Sequence, residues 1–244
     1  AVMIAIDTLA RQTERLTALG RLASGVAHEL NNPLSSILLY SSNMLKKVPA
    51  AGFLHEGLEV IVQETKRCKT IIQELQEFSR SKEPKKSRGN LNTVLEKVIR
   101  LLENEFRRRG IRLHTRLDPR LPNMLVDIGQ MQQVLASLLI NASEAVNSKG
   151  EVTVTSRFDE ATQNVSIEVA DTGAGIPKEY RHRLFEPFFS TKPKGTGLGL
   201  TVSYDFVMNH QGELQVASEP GQGSRFTVIL PVSTPELDPA RTGR

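Results

Sequence analysis

Apolar residues recur at every seventh position in the first part of the chain: Leu9, Leu16, Ala23, Leu30, Ile37 and Met44. Leu19, Val26, Pro33 and Tyr40 follow the middle members by three residues. This a/d seam is the pattern of a helix packed in a coiled coil or bundle. Pro49 and Gly52 interrupt it. A second seam follows at Leu54, Ile61, Cys68 and Leu75, with Leu58, Thr65 and Ile72, widened by Ile71 and Phe78. Cys68 therefore reads as a small core residue. A two-helix hairpin alone cannot bury both stripes, whereas two copies forming a four-helix bundle can. Residues 1–80 thus predict a helical hairpin that makes the chain a homodimer.

The pattern then changes. Residues 81–90 are polar and charged with Pro84 and Gly89, which predicts a linker. From 91 to about 109 the spacing is helical (Leu91, Val94, Leu95, Val98, Leu101, Leu102), with Asn90 as N-cap. Residues 111–117 alternate like a half-buried strand, and 131–146 form an amphipathic helix. Strands are expected at 151–158, 165–170, 213–218 and 224–230, the last two flanking the turn at 219–223. Strands and helices mix without regular βαβ alternation, which predicts a helix layer on a largely antiparallel sheet over 91–232. The chain as a whole is of the α+β class, and 233–244 is expected to be a flexible tail.

Composition adds limits. The chain has 244 residues, enough for two domains, and 39% hydrophobic with 24% charged residues is ordinary for a globular protein. With three Tyr and no Trp, the core must rest on Leu, Ile and Val. A net charge of +4, with no basic block interleaved with aromatics, argues against nucleic-acid binding. The one cysteine excludes an intrachain disulfide and fits a reducing compartment. No apolar run is long enough to span a membrane and no signal peptide opens the chain. The expected location is cytoplasmic. Because the first residue is Ala, an upstream sensor domain or membrane anchor is expected to be missing from this sequence.

Two stretches carry nucleotide chemistry. Asp171-Thr-Gly-Ala-Gly-Ile-Pro177 is followed by Gly195-Thr-Gly-Leu-Gly-Leu200, where a helical pattern starts. Glycines let backbone N–H groups close on phosphates, and a helix N-terminus adds partial positive charge. Far upstream lies His28-Glu-Leu-Asn-Asn-Pro33. With Ala23 at heptad position a, His28 falls at f, facing solvent; an incidental surface histidine fits that geometry equally. Glu29 is its neighbour, and Asn32 shares its face one turn on. Pro33 sits mid-helix, at a cost of about 3 kcal/mol, which loosening the helix beside a reactive side chain would explain.

Together these residues resemble the catalytic half of a two-component sensor histidine kinase over residues 16–231. His28-Glu-Leu-Asn-Asn-Pro33 resembles that family's H box, Leu138-Leu-Ile-Asn-Ala142 its N box and Asp171-Thr-Gly-Ala-Gly175 its G1 box. Leu184-Phe-Glu-Pro-Phe-Phe189 resembles the F box, and Gly195-Thr-Gly-Leu-Gly199 the G2 box. Any one block is weak; five in the family's order are not coincidence. The resemblance implies a dimerisation and phosphotransfer hairpin, followed by a two-layer α/β sandwich of the gyrase, heat-shock chaperone, histidine kinase and MutL (GHKL) type, of a nitrogen-regulatory-like subgroup. It implies ATP and Mg²⁺, with Asn141 as metal ligand and Asp171 accepting from the adenine amine. Gly173 and Gly175 would turn the loop under the base. Gly195, Thr196, Gly197, Leu198 and Gly199 would bring backbone to the phosphates. Thr227 would hold a water to Asp171. Lys192, in a short lid, would reach a phosphate and Lys194 would face solvent; Phe185, Phe188 and Phe189 would couple lid to domain. His210 reads as a structural histidine at a helix C-terminus.

The resemblance further implies phosphoryl transfer from ATP to His28, with Glu29 orienting the imidazole and taking its proton. The group would pass to an aspartate of a response-regulator receiver domain, and Asn32 would position water for dephosphorylating that regulator. One departure bears on the chemistry. Hydrolysing GHKL relatives carry a glutamate where this chain has Ser137, and a serine is no base at neutral pH. Glu144, one turn after Asn141, orders metal waters or is simply solvated. Two other readings compete: an ATPase clamp merely dimerised by the hairpin, and a scaffold that only binds.

Overall fold

The break at 46–52 splits the N-terminal pattern into helices α1 (29–45) and α2 (Phe53–Ser79) in the computed structural model. The structure describes residues 29–79, 84–146, 149–192 and 195–232. His28, the earlier seam positions from Leu9 to Val26, the Phe78 side chain, Lys194 and the expected tail lie outside the described residues. The chain divides into two compact units, Ala1–Lys82 and Glu83–Arg244.

In the first unit, α1 packs through a stripe one residue away from the one expected, whereas α2 packs through the expected Leu58, Thr65 and Ile72 with Val62 in place of Ile61. Leu34, Leu38 and Leu45 of α1 are half-buried around Ser41, which is buried. From α2 come Val62, Thr65 and Ile72, buried, with Leu58 half-buried. Lys69 Nζ donates across the hairpin to Ser35 Oγ at 3.1 Å. The expected seam residues Leu30, Ile37, Tyr40, Met44, Leu54 and Ile61 are exposed instead, Tyr40 to 70%. Cys68 is exposed too, so it is no core residue of the hairpin. Each helix carries two adjacent apolar stripes, and one neighbouring helix can cover only one of them. Helix α1 runs unbroken through Pro33, and the hydroxyls of Ser35 and Ser36 donate back to the carbonyls of Asn31 and Asn32.

The second unit opens with a strand inside the expected linker. Ser87–Gly89 (β1) pairs antiparallel with Met124–Val126 (β3). Three residues are too few to show alternation, and their partner lies beyond the next helix, so only tertiary pairing reveals them. Helix α3 (Leu91–Arg108) starts where Asn90 Oδ1 accepts from Asn92 N at 2.9 Å. It buries Leu91, Val94, Leu95 and Val98 as expected, but then Phe106; Leu101 is 66% exposed. One residue is 100° on a helix, enough to turn Leu101 out of that stripe.

Five strands form the main sheet: β2 (Arg112–Leu117), β4 (Glu151–Asp159), β5 (Asn164–Asp171), β6 (Glu213–Glu219) and β7 (Gly223–Pro231). Their order is β2-β4-β5-β7-β6, with β2 and β4 parallel and every other pair antiparallel. Helix α4 (Ile128–Ala145) lies on β5 and β7 between α3 and α5 (Gly199–Asn209). Val165, Ile167 and Val169 of β5 and Phe226, Val228 and Leu230 of β7 meet Met131, Val134, Leu135, Leu138 and Leu139 of α4, all buried. At about 1.5–3 kcal/mol for each fully buried side chain, this layer anchors the α/β sandwich. Because α4 gives that face to the core, Ser137, Asn141 and Glu144, at i, i+4 and i+7, share another.

His210 caps the end of α5 as a neutral side chain rather than a cation. It is 3% exposed, Nδ1 donates to the Phe206 carbonyl at 2.7 Å, and Nε2 accepts from Asp127 N at 2.9 Å. Burial pushes its pKa below the usual imidazole value.

Candidate nucleotide site

Strand β5 ends at Asp171, which is 7% exposed. Its Oδ1 accepts from Gly173 N at 2.8 Å and from Ser224 N at 3.3 Å. Among the described residues no donor reaches Oδ2, so that oxygen is left for a ligand donor. Burial raises the carboxyl pKa, and the two N–H groups and the charge of Lys192 partly oppose this. A carboxylate so buried needs another donor, and an exocyclic amine supplies one.

The loop after Asp171 is laced to the β6–β7 turn. Ser218 Oγ accepts from Ile176 N at 2.8 Å and lies 3.0 Å from Ser224 Oγ, while Ala174 O accepts from Gly221 N at 2.7 Å. Gly175 has φ of 70°, and a Cβ there would stand 2.0 Å from the Glu219 carbonyl oxygen. Only glycine fits that approach.

Thr227 is not a neighbour of Asp171. The β5–β7 register pairs Asp171 with Ser224 and Glu168 with Thr227. Side chains alternate faces along a strand, so three residues of separation put Thr227 on the opposite face of the sheet. Ser224 stands where Thr227 was expected. The signal available in the sequence was Gly223-Ser224, immediately after the turn, rather than the β-branched residue farther along.

The other end of the candidate site is bordered by α4, the start of α5 and the stretches that carry Lys192 and Thr196. Helix α5 begins at Gly199 with no side-chain cap, which leaves its first N–H groups to an anion. Ser137 Oγ lies 3.1 Å from where a Gly199 Cβ would stand, so this serine backs onto the start of α5. Gly197, at φ of 71°, lies against the Phe188–Phe189 backbone, and its carbonyl accepts from Phe188 N at 3.1 Å. That bond closes the base of the lid. Thr196 Oγ1 accepts from Leu198 N at 3.3 Å, and Leu198 is buried. Phe185 packs on Tyr204 at 5.1 Å between ring centroids, and Arg183 lies over Phe189 at 4.3 Å. Phe188 differs from its neighbours: it is 52% exposed at φ of 65°.

Lys192 Nζ donates to Asn141 Oδ1 at 2.8 Å and to Glu144 Oε2 at 2.6 Å. The two α4 oxygens therefore already seat a cation. An amide oxygen and a carboxylate are hard donors of the kind Mg²⁺ takes, so these residues fit the metal the sequence implied. No group of three or more His, Cys, Asp or Glu that could hold a metal occurs among the described residues. In the first unit, Glu29 and Asn32 are exposed on α1. No helix among the described residues is long and apolar enough to cross a membrane.

Comparison with known proteins matches both units. Residues 126–234 match the family described as histidine kinase-, DNA gyrase B-, and HSP90-like ATPases, and residues 18–84 match the His Kinase A (phospho-acceptor) domain. The sensor histidine kinase ZraS of Escherichia coli (strain K12) is 37% identical over 94% of this chain and 49% of that protein. The chain thus spans about half the length of this curated relative. Among solved structures, the catalytic domain of the histidine kinase ThkA is 30% identical with a TM-score of 0.56, over 61% of this chain and 96% of that one. ThkA in complex with the response regulator protein TrrA is 27% identical with a TM-score of 0.67, over 96% of this chain and 67% of that one.

Proposed function

The chain belongs to the sensor histidine kinases and carries their catalytic core, and we propose that it transfers the γ-phosphoryl group of ATP to His28. The observation that carries this reading is one chain holding both a phospho-acceptor match around the His28 segment and a nucleotide cradle built on Asp171. ATP supplies the phosphoryl group, and Mg²⁺ neutralises its charge when bound. Asp171 Oδ2 accepts from the adenine amine, and Gly173 N–H and Ser224 N–H hold the carboxylate in place. The uncapped N-terminus of α5, with Gly195, Thr196, Gly197 and Leu198 before it, receives the phosphates. Asn141 holds the metal. His28 is the acceptor, because a neutral imidazole nitrogen is a nucleophile suited to taking a phosphoryl group. Glu29 orients the ring and takes the proton it loses. Ser137, backed onto α5, offers no base for water, which favours a protein acceptor over hydrolysis.

The phosphoryl group then passes to an aspartate of a response-regulator receiver domain, a step supported by the regulator bound to the related kinase ThkA. Asn32, exposed beside Glu29 on α1, positions water for the reverse, dephosphorylating reaction. The exposed stripe of Leu30, Ile37, Tyr40, Met44, Leu54 and Ile61 supports a homodimer in which a second hairpin covers it. The use of ATP supports a cytoplasmic site of action.

The test is incubation of the chain with γ-labelled ATP and Mg²⁺ beside His28→Ala. The expected label is acid-labile, base-stable and missing from the variant. Phosphate released to solvent equally by both proteins, with none on protein, would instead mark an ATPase clamp.

A further inference from the structure

The ammonium of Lys192 bridges Asn141 and Glu144, two oxygens one helical turn apart on α4. Resting on the reading of this pocket as a Mg²⁺–ATP site, we propose that Asn141 and Glu144 form a seat for one cation at a time. Lys192 fills it as an internal stand-in, and the divalent ion arriving with nucleotide displaces the Lys192 ammonium. Glu144 is thereby part of the metal's surroundings, and Lys192 is its built-in competitor.

Three observations carry this. The first is steric. Mg²⁺ sits about 2.0–2.1 Å from its oxygen ligands, whereas Nζ lies 2.8 Å from Asn141 Oδ1 and 2.6 Å from Glu144 Oε2. A metal shared by these oxygens would overlap the ammonium. The second is charge. Among the described residues no other cation reaches this pair, and two cations about 3 Å apart repel strongly unless one leaves. The third is freedom to move. The Lys192 and Glu144 side chains are 36% and 39% exposed, so the bond between them is exchangeable. The backbone on either side is tied down: Phe188 N donates to Gly197 O, and Gly195 N donates to Lys192 O at 3.1 Å. With the backbone held at these points, the long Lys192 side chain can swing without unfolding the pocket. Displaced from α4, the ammonium is free to meet phosphate oxygens.

The test follows the lysine itself. In the full chain labelled with ¹⁵N-lysine, a slowly exchanging ammonium resonance is assigned to Lys192 by its loss in Lys192→Gln. The signal is expected to persist with saturating ADP alone and to vanish when Mg²⁺ is added. Calorimetry in parallel is expected to give Lys192→Gln a Mg²⁺ constant, at saturating ADP, tighter by up to about fivefold, the scale of one partly exposed ion pair. Lys192→Arg keeps the competing charge and is expected to behave like the parent. The resonance decides. If it is untouched while Mg²⁺–ADP binding saturates, or lost with ADP alone, the one-cation seat is refuted. No heat of ADP binding to the parent chain, with or without Mg²⁺, overturns the nucleotide-site reading itself, and the proposal falls with it.

Discussion

The backbone N–H of Asp127 donates to Nε2 of His210 at 2.9 Å, joining the N-cap of α4 to the end of α5. His210 keeps that bond only while neutral, and burial holds its pKa below the ordinary value. Below about pH 6.5 the unfolded chain takes up a proton that the native imidazole refuses. This group's contribution is thus present above pH 6.5 and lost as the pH falls toward the folded value. Urea denaturation followed by circular dichroism should show lower stability at pH 5.5 than at 7.5. His210→Ala should flatten that difference and cost about 1–3 kcal/mol at pH 7.5 by leaving buried partners unpaired. A slope as steep in the variant as in the parent would refute the assignment.

Asp171→Asn preserves shape but replaces a charged acceptor. Losing a charged hydrogen bond of about 1.5–3 kcal/mol should weaken ATP by roughly ten- to a hundredfold and narrow the preference over GTP. Competition against a fluorescent nucleotide reads both. Because burial raises the carboxyl pKa, ATP binding by the parent should begin to fail at a higher pH than protonation of a free aspartate would imply. For folding the sign is opposite: the native carboxyl binds its proton before the unfolded one, so acidification through this group stabilises the fold.

Ser224→Ala removes the hydroxyl that lies 3.0 Å from Ser218 Oγ, behind the Asp171 loop. Nucleotide affinity should fall about two- to tenfold, the range of one neutral hydrogen bond. Thr227→Val, on the far face of the sheet, should leave it unchanged. The reverse order of effects would restore Thr227 to the site.

Gly197→Ala puts a Cβ 2.4 Å from the Phe188 carbonyl carbon and 2.5 Å from Phe189 N, at φ of 71°. A left-handed L-residue alone costs about 1–2 kcal/mol. The sheet should still melt cooperatively while ATP affinity drops about tenfold or more, because the damage is confined to the base of the lid. Parental affinity in a well-folded variant would show that this contact is dispensable.

Asn32→Ala should lose dephosphorylation of a phosphorylated receiver domain while autophosphorylation of His28 persists. Parallel rate measurements of the two reactions decide; equal loss of both would sink the assignment.

The sequence by itself determined the order of parts. Heptad and alternating patterns, the Asn90 cap and five motif blocks are local signals, and they gave the hairpin, helices α3 to α5, the mostly antiparallel sheet and the placement of Asp171 and Asn141. Tertiary structure decided what faces what. Each hairpin helix carries two candidate stripes in sequence, and only packing chose Ser41 and Val62 for the inside and left Leu30, Ile37 and Cys68 exposed. Register across β5 and β7 is a pairing of residues more than fifty positions apart, and it exchanged Thr227 for Ser224. The same holds for Lys192, whose bonds to Asn141 and Glu144 span 51 and 48 residues. A residue's periodicity is written in its neighbours, but its partner is set by where the chain returns.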